Sequence, residues 1–289
     1  MDMLLAVLRF GRHEQPVVID VYSTLNFHYA LACGLLCQWI GIRYFCVLHG
    51  GNLPRRLKDN PYLCNLLFGR ASKLIAPSEY LKAAFTKSSY NVEVIPNGIP
   101  IKNYPFRLRD KPRPRLLWVR AFDSTYNPAM AVQVIKLLAE KYDDAVLCMV
   151  GPDRDGSMET CKRLAKELEV SERIIFTGQL SKTAWISLAN EYDIFINTTN
   201  FDNTPISVIE AMALGLAVVS TNAGGVPYLI ENGREGMLVE MRDINSMTTT
   251  VAELVEGRIS SSELVTHARH KVEKFDYMFV AEQWKDTLI

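Results

Sequence analysis

The chain has no surplus of charge. Its 289 residues set 32 Lys and Arg against 32 Asp and Glu. No global field therefore attracts nucleic acid or an anionic membrane, and any charged ligand must be held by local features. A Cys-x-x-Cys pair is also lacking, and no Cys/His cluster among Cys33, Cys37, Cys46, Cys64, Cys148 and Cys161 has zinc spacing. Several of these cysteines sit in apolar runs, where a free thiol behaves as a small hydrophobe, so reduced thiols are expected. Residues 1–10 are apolar but have no basic start and no small-residue cleavage site, so they do not read as a secretory signal. The run 29–48 nearly has the length of a membrane span. It contains Gln38 and Arg43, and Gly41 splits it into a helix-like and a strand-like part. A soluble, cytoplasmic protein is expected, with room for peripheral contact with the inner face of a membrane. There is no internal repeat or low-complexity tract, and His13, His28, His267 and His270 form no constellation.

Hydrophobic residues make up 48% and charged residues 22%, and the length suits two domains, each able to bury a core. Short apolar runs recur between amphipathic helical stretches. Strands are expected at 17–21, 44–48, 73–76 and 92–95, then at 115–120, 145–150, 173–176, 193–197, 217–220 and 237–239. Runs that are apolar throughout, rather than alternating, indicate strands covered on both faces, as in parallel sheets. Intervening helices, such as 128–142 and 158–168, complete βαβ units. Between the two groups, residues 100–114 hold four prolines and many basic residues and read as a solvated hinge. The expected division is a first Rossmann-like domain at 1–106, a second at 107–274 and a terminal segment at 275–289. Ligands of such sheets gather at the carboxyl ends of the strands.

The densest signal lies in residues 197–227. A buried strand ends at Asn197, a polar loop follows, and a helix starts near Pro205, where proline fits the first turn. Asp202, Asn203, Thr204, Ile206 and Ser207 surround that helix start. There the unpaired N–H groups and the dipole favour an anion such as a diphosphate. Glu210 lies further along, and Gly215 ends the helix before a strand and the Gly224-Gly225 loop. Two acidic groups so placed could grip the hydroxyls of a sugar and a ribose. Equally, Asp202 could cap the helix and Glu210 could pair with a basic neighbour.

This segment resembles glycosyltransferase family 4, retaining enzymes of GT-B fold. The family pattern has two acidic residues separated by seven, then Ala-Met-Ala-x-Gly and a Gly-Gly-x-Pro loop. Here it is Asp202, Glu210, Ala211-Met212-Ala213-Leu214-Gly215 and Gly224-Gly225-Val226-Pro227. Further likeness covers Val150-Gly151, Phe176-Thr177-Gly178-Gln179-Leu180, Tyr192-Asp193-Ile194-Phe195, Gly236-Met237-Leu238-Val239 and Val94-Ile95-Pro96-Asn97-Gly98-Ile99. The resemblance implies a nucleotide-diphosphate sugar as donor, with Glu210 on the ribose and Asp202 facing the transferred sugar. Asp202 is one methylene shorter than the family's glutamate, roughly 1.5 Å of reach. His49, in Leu48-His49-Gly50-Gly51, matches a histidine that contacts that sugar; its plainer role is a hydrogen-bonded histidine at a strand end. Gly151, Gly178, Asn203, Thr204, Ile206 and Ser207 complete the implied donor site. No metal is implied, and the acceptor is a glycan, lipid or small molecule.

Two departures stand out. Where the family has Gly-Arg-Leu and a nearby Lys-Gly to neutralise the departing diphosphate, this chain has Val119-Arg120-Ala121-Phe122, with Tyr126 in place of the lysine. Arg120 suits a bidentate grip on phosphate, or a salt bridge to a neighbouring carboxylate. The family's opening βα units, before the strand that 17–21 resembles, are absent, which implies either a shortened first domain or a fragment of a longer reading frame. Three functions stay open: sugar transfer, nucleotide-sugar or partner binding without turnover, and nucleotide-sugar epimerisation.

Overall fold

The computed structural model describes residues 2–11 and 15–288; His13 lies outside them. The described chain forms two compact units, one of residues up to Gly98 together with those from Tyr277 on, the other Ile99–Asp276. Both are α/β, and all their strand pairings are parallel.

In the first unit α1 (Asp2–Phe10) leads to β1 (Val17–Val21), α2 (Asn26–Ile40) and β2 (Tyr44–Leu48). Then come α3 (Leu53–Asp59), α4 (Pro61–Phe68), β3 (Lys73–Ala76), α5 (Glu79–Thr86) and β4 (Glu93–Val94), and the strands line up in the order β1-β2-β3-β4. The run 29–48 divides as expected: α2 stops at Gly41, which takes φ 73°, and β2 follows. Among the described residues no helix is long and apolar enough to cross a membrane.

All five residues of β2 are buried, and they alternate between two cores. Tyr44, Cys46 and Leu48 face a cluster with Phe27, Leu67 and Phe85. Phe45 faces Ile75, Ile95 and Val280, with Trp284 packed against them. Coverage on both faces is why β2 reads as one continuous apolar run. Edge strand β1 departs from that pattern: Val18 is 45% exposed and Asp20 is open to solvent.

The second unit contains β5 (Arg115–Val119), α6 (Pro128–Ala139), β6 (Val146–Val150), α7 (Ser157–Glu167), β7 (Ile174–Gly178) and α8 (Lys182–Leu188). It continues with β8 (Ile194–Asn197), α9 (Ile206–Ala213), β9 (Ala217–Thr221), α10 (Val226–Leu229), β10 (Met237–Val239), α11 (Ile244–Val255) and α12 (Ser261–Glu273). Helix α13 (Tyr277–Leu288) belongs to the first unit. The strand order β10-β9-β8-β5-β6-β7 is that of a doubly wound dinucleotide fold. Its order reverses between β5 and β8, and that crevice is where such sheets hold ligands.

Residues 100–114 are not a solvated hinge. They strap onto the second unit, and the chain passes between units at Gly98–Ile99 and Asp276–Tyr277. Arg109 is 3% exposed, and its guanidinium donates to the carbonyls of Tyr192 (2.9 Å), Leu214 (2.7 Å) and Ala189 (3.0 Å). Arg113 Nε lies 2.7 Å from Asp193 Oδ2, and Arg107 pairs with Asp193 Oδ1. Basic composition alone suggests solvent. Here the arginines instead pair with buried acceptors of the second unit, Arg109 adding a side-chain donor to the Ala189 and Leu214 carbonyls that already accept backbone N–H groups.

All six cysteines are buried and free. Burial pushes the Cys37 thiol up to about 11 and the Cys161 thiol to about 12, away from thiolate chemistry.

Candidate functional site

The carboxyl ends of β5, β6 and β7 are stitched together by backbone. Arg120 N–H donates to Val150 O (3.0 Å), and Gly151 N–H donates to Gly178 O (2.9 Å). Gly151 has φ 153°, and a β-carbon there would overlap the carbonyl of Arg120. Only glycine lets the two strand ends approach this closely.

A cavity of about 300 Å³ opens over these ends. Val119, Arg120, Val150, Gly151, Pro152, Gln179, Leu180 and Trp185 line it from the sheet side and α8. From α9 come Ile206, Ser207 and Glu210, with Lys182 at the rim. Of the residues singled out from sequence, Arg120, Gly151, Ile206, Ser207 and Glu210 thus share one pocket. Gly178 borders it through its bond to Gly151.

Helix α9 is a proper eight-residue helix whose N-cap is Pro205, with no side-chain cap and no acidic residue in its first turn. Its free N–H groups and dipole are therefore unspent. Ser207 is 8% exposed and its Oγ has no hydrogen-bond partner; the buried Thr204 Oγ1 and Arg120 Nε have none either. Three buried polar atoms without partners around one helix start are the mark of a site made for a polar ligand. Among the described residues, no cluster of three or more His, Cys, Asp or Glu side chains is placed to hold a metal ion.

Asp202 does not cap α9. Its carboxylate pairs with Arg120 Nη2, both side chains being 13% exposed, and the Arg120 guanidinium lies 4.9 Å from the Tyr126 ring centroid. Tyr126, standing where the family places a lysine, thus braces the arginine by a cation–π contact. The Asp202–Asn203 loop is pinned from behind: a β-carbon on Gly224 would overlap Asp202 O, and one on Gly225 would overlap Asn203 O.

Glu210 is 3% exposed yet is not stranded in hydrocarbon. Its Oε1 accepts from Tyr104 Oη at 2.6 Å and pairs with Lys182 Nζ. Neither partner is apparent in the sequence. Tyr104 sits in the strap, 106 residues away, and Lys182 lies just beyond the Phe176–Leu180 likeness. The lysine follows Ser181, whose side chain caps α8 through Ala184 N–H, and its ammonium lies 5.6 Å from the Trp185 ring centroid.

His49 belongs to the first unit. It sits at the carboxyl end of β2 with Nε2 2.7 Å from Asp20 Oδ1, its N–H bonded to Val21 O at 2.9 Å and its ring stacked on Tyr22 at 5.2 Å. It is a hydrogen-bonded histidine at a strand end, one quarter exposed.

Six parallel strands in doubly wound order, with two cations, an uncapped helix start and a buried carboxylate around one pocket, define a Rossmann-like α/β unit. The chain belongs to the glycosyl transferases group 1 family, which matches residues 102–271. It is 28% identical over 194 residues to an uncharacterised glycosyltransferase of Haemophilus influenzae, covering 67% of this chain and 53% of that protein. It is 24% identical to the amylovoran biosynthesis glycosyltransferase AmsK of Erwinia amylovora, covering 90% of this chain and 67% of the relative. The chain thus spans between half and two thirds of the length of these relatives. Anabaena HepE, solved in complex with UDP, superposes with a TM-score of 0.79 at 18% identity, covering 93% of this chain and 78% of that one. The fold class is GT-B, with two Rossmann-like parallel-sheet domains of four and six strands.

Proposed function

We propose that the protein transfers a sugar, with retention of configuration, from a nucleotide-diphosphate donor to a glycan, lipid or small-molecule acceptor, in the manner of family 4. The observation that carries this reading is the pocket joining Arg120, Ser207 and Glu210 at the reversal point of the second sheet. The nucleoside lies over Gly151 and Gln179, its ribose diol donating to Glu210. The diphosphate meets the start of α9, with Asn203, Thr204 and Ser207 around it, and Arg120. Stabilising charge on the departing phosphate is the main electrostatic contribution, and Arg120 with a helix start takes a role that a metal fills elsewhere. Asp202, in the pocket's Arg120 pair, and His49 of the first unit are assigned to the donor sugar. The protein is assigned to the cytoplasm, with room for peripheral contact with the inner face of a membrane.

The test is a calorimetric screen of UDP-, GDP- and ADP-sugars, followed by donor hydrolysis. Tight binding of one of them, with slow hydrolysis abolished in Glu210→Ala, supports the reading. Binding with neither hydrolysis nor transfer over an acceptor panel would make the chain a nucleotide-sugar-binding relative instead. An epimerised donor would reassign its chemistry.

A further inference from the structure

Lys182 and Glu210 differ sharply in their surroundings. The Glu210 side chain is 4% exposed and that of Lys182 is 56% exposed. An enclosed carboxylate needs a counter-charge or several hydrogen-bond donors to offset its lost hydration, whereas an exposed ammonium is solvated wherever it points. Tyr104 supplies one donor to Oε1 and Lys182 supplies the charge. If Lys182 left and nothing replaced it, Glu210 would be a buried anion with one hydroxyl for company. A ribose diol brings two O–H donors to the same carboxylate and removes that need.

The lysine also has somewhere to go. Ser207 and Glu210 are three residues apart on α9, so they share a face at a spacing of about 5–6 Å. Lys182 lines the same pocket as Ser207 and Arg120. A swing of roughly one helical turn, on a four-carbon stem, carries the ammonium from Glu210 to an anion seated at Ser207 Oγ, which has no partner of its own. Arg120, the pocket's other cation, is engaged by Asp202, so a diphosphate gains most from the cation whose present partner is the more readily replaced.

We propose that Lys182 is an exchangeable counter-ion: it neutralises Glu210 in the empty pocket and turns to the diphosphate once the ribose has taken its place. This deepens the donor reading above and rests on it. No bond is made or broken; Lys182 positions and neutralises. It also supplies, from α8, a second positive charge for the diphosphate that the segment after β5 does not contain.

The exchange is tested by comparing UDP with uridine, and GDP and ADP with their nucleosides, in wild type and Lys182→Met by calorimetry. The expected result is a loss of about ten- to a hundredfold in diphosphate affinity, the weight of one charge-assisted hydrogen bond. Nucleoside affinity should be unchanged or improved. An equal fall for nucleotide and nucleoside would overturn the proposal, because Lys182 would then only hold Glu210 in shape; so would an unchanged diphosphate affinity. The double variant Lys182→Met/Glu210→Gln removes the buried charge, and it keeps the diphosphate-to-nucleoside comparison available should the single variant not fold. If wild type binds no nucleoside diphosphate, the donor reading itself fails and the exchange with it. If wild type prefers the diphosphate and the variants keep that preference, the exchange alone fails.

Discussion

Gly151 and Arg120 meet backbone to backbone: any side chain on Gly151 would enter the space of the Arg120 carbonyl oxygen. The approach holds two strand ends in register beneath the pocket, so Gly151 is required twice, for its φ of 153° and for its missing β-carbon. Gly151→Ala is expected to lower the unfolding free energy by about 1–3 kcal/mol in urea denaturation and to weaken nucleotide binding. Gly178→Ala, at φ 69° with open space around it, should cost only the left-handed backbone strain, about 1–2 kcal/mol. Equal effects at the two positions would show that overlap with Arg120 is not what matters.

The Arg120–Asp202 pair yields predictions of opposite sign. Arg120→Ala should weaken binding of UDP or its counterpart by at least about tenfold, since a charge-assisted contact is lost. Asp202→Asn releases the guanidinium and should tighten diphosphate binding a few-fold while lowering transfer. Calorimetry and a transfer assay on the same two variants check both signs. If both variants weaken diphosphate binding alike, the pair is a structural clasp.

Glu210→Gln should cost about tenfold in nucleoside affinity and Glu210→Ala more, because glutamine keeps one acceptor oxygen for the ribose. Glu210→Gln should lower the melting temperature little, since Lys182 remains solvated and the amide oxygen still accepts from Tyr104, whereas Glu210→Ala takes away that buried acceptor and should cost about 1–3 kcal/mol. A large loss of stability with intact affinity would place Glu210 in the scaffold.

Asp193 gives a pH-dependent stability. Burial raises its carboxyl pKa, but hydrogen bonds from Arg113 and the charges of Arg113 and Arg107 outweigh this and hold it below the ordinary value. A pKa depressed on folding contributes stability in full above the unfolded value of about 3.9, and loses it as pH falls through the folded value. Wild type should therefore exceed Asp193→Asn in melting temperature near neutrality, the gap closing only as acid protonates the folded carboxyl. A gap that is constant with pH would mean that the charge of Asp193 does not contribute to holding the strap.

His49→Ala is expected to reduce sugar transfer by about tenfold, the weight of one hydrogen bond, and to leave diphosphate affinity within about twofold. The pocket proposed for the nucleotide is lined by residues of the second unit. Loss of nucleotide affinity in this variant would contradict that division.

The α/β class and every strand of both sheets were legible in the residues: β2, β8 and β9 are unbroken apolar runs because both their faces are buried, and β1, β4 and β7 were read from their short apolar runs although one face of each is partly open. So was the helix start at Pro205, since its backbone need is local; Gly151, Gly224 and Gly225 stood out in the residues, but the close approaches of Arg120, Asp202 and Asn203 that require them belong to the fold. What only the tertiary structure decided was partnership. Glu210 lies 28 residues from Lys182 and 106 from Tyr104, and Arg120 lies 82 from Asp202. Charges choose partners by distance in space, and no periodicity along the chain encodes which helix end faces which strand end. Arg109 shows the same limit: in composition it belongs to a solvated basic run, yet folded it is buried and donates to the carbonyls of Tyr192, Leu214 and Ala189.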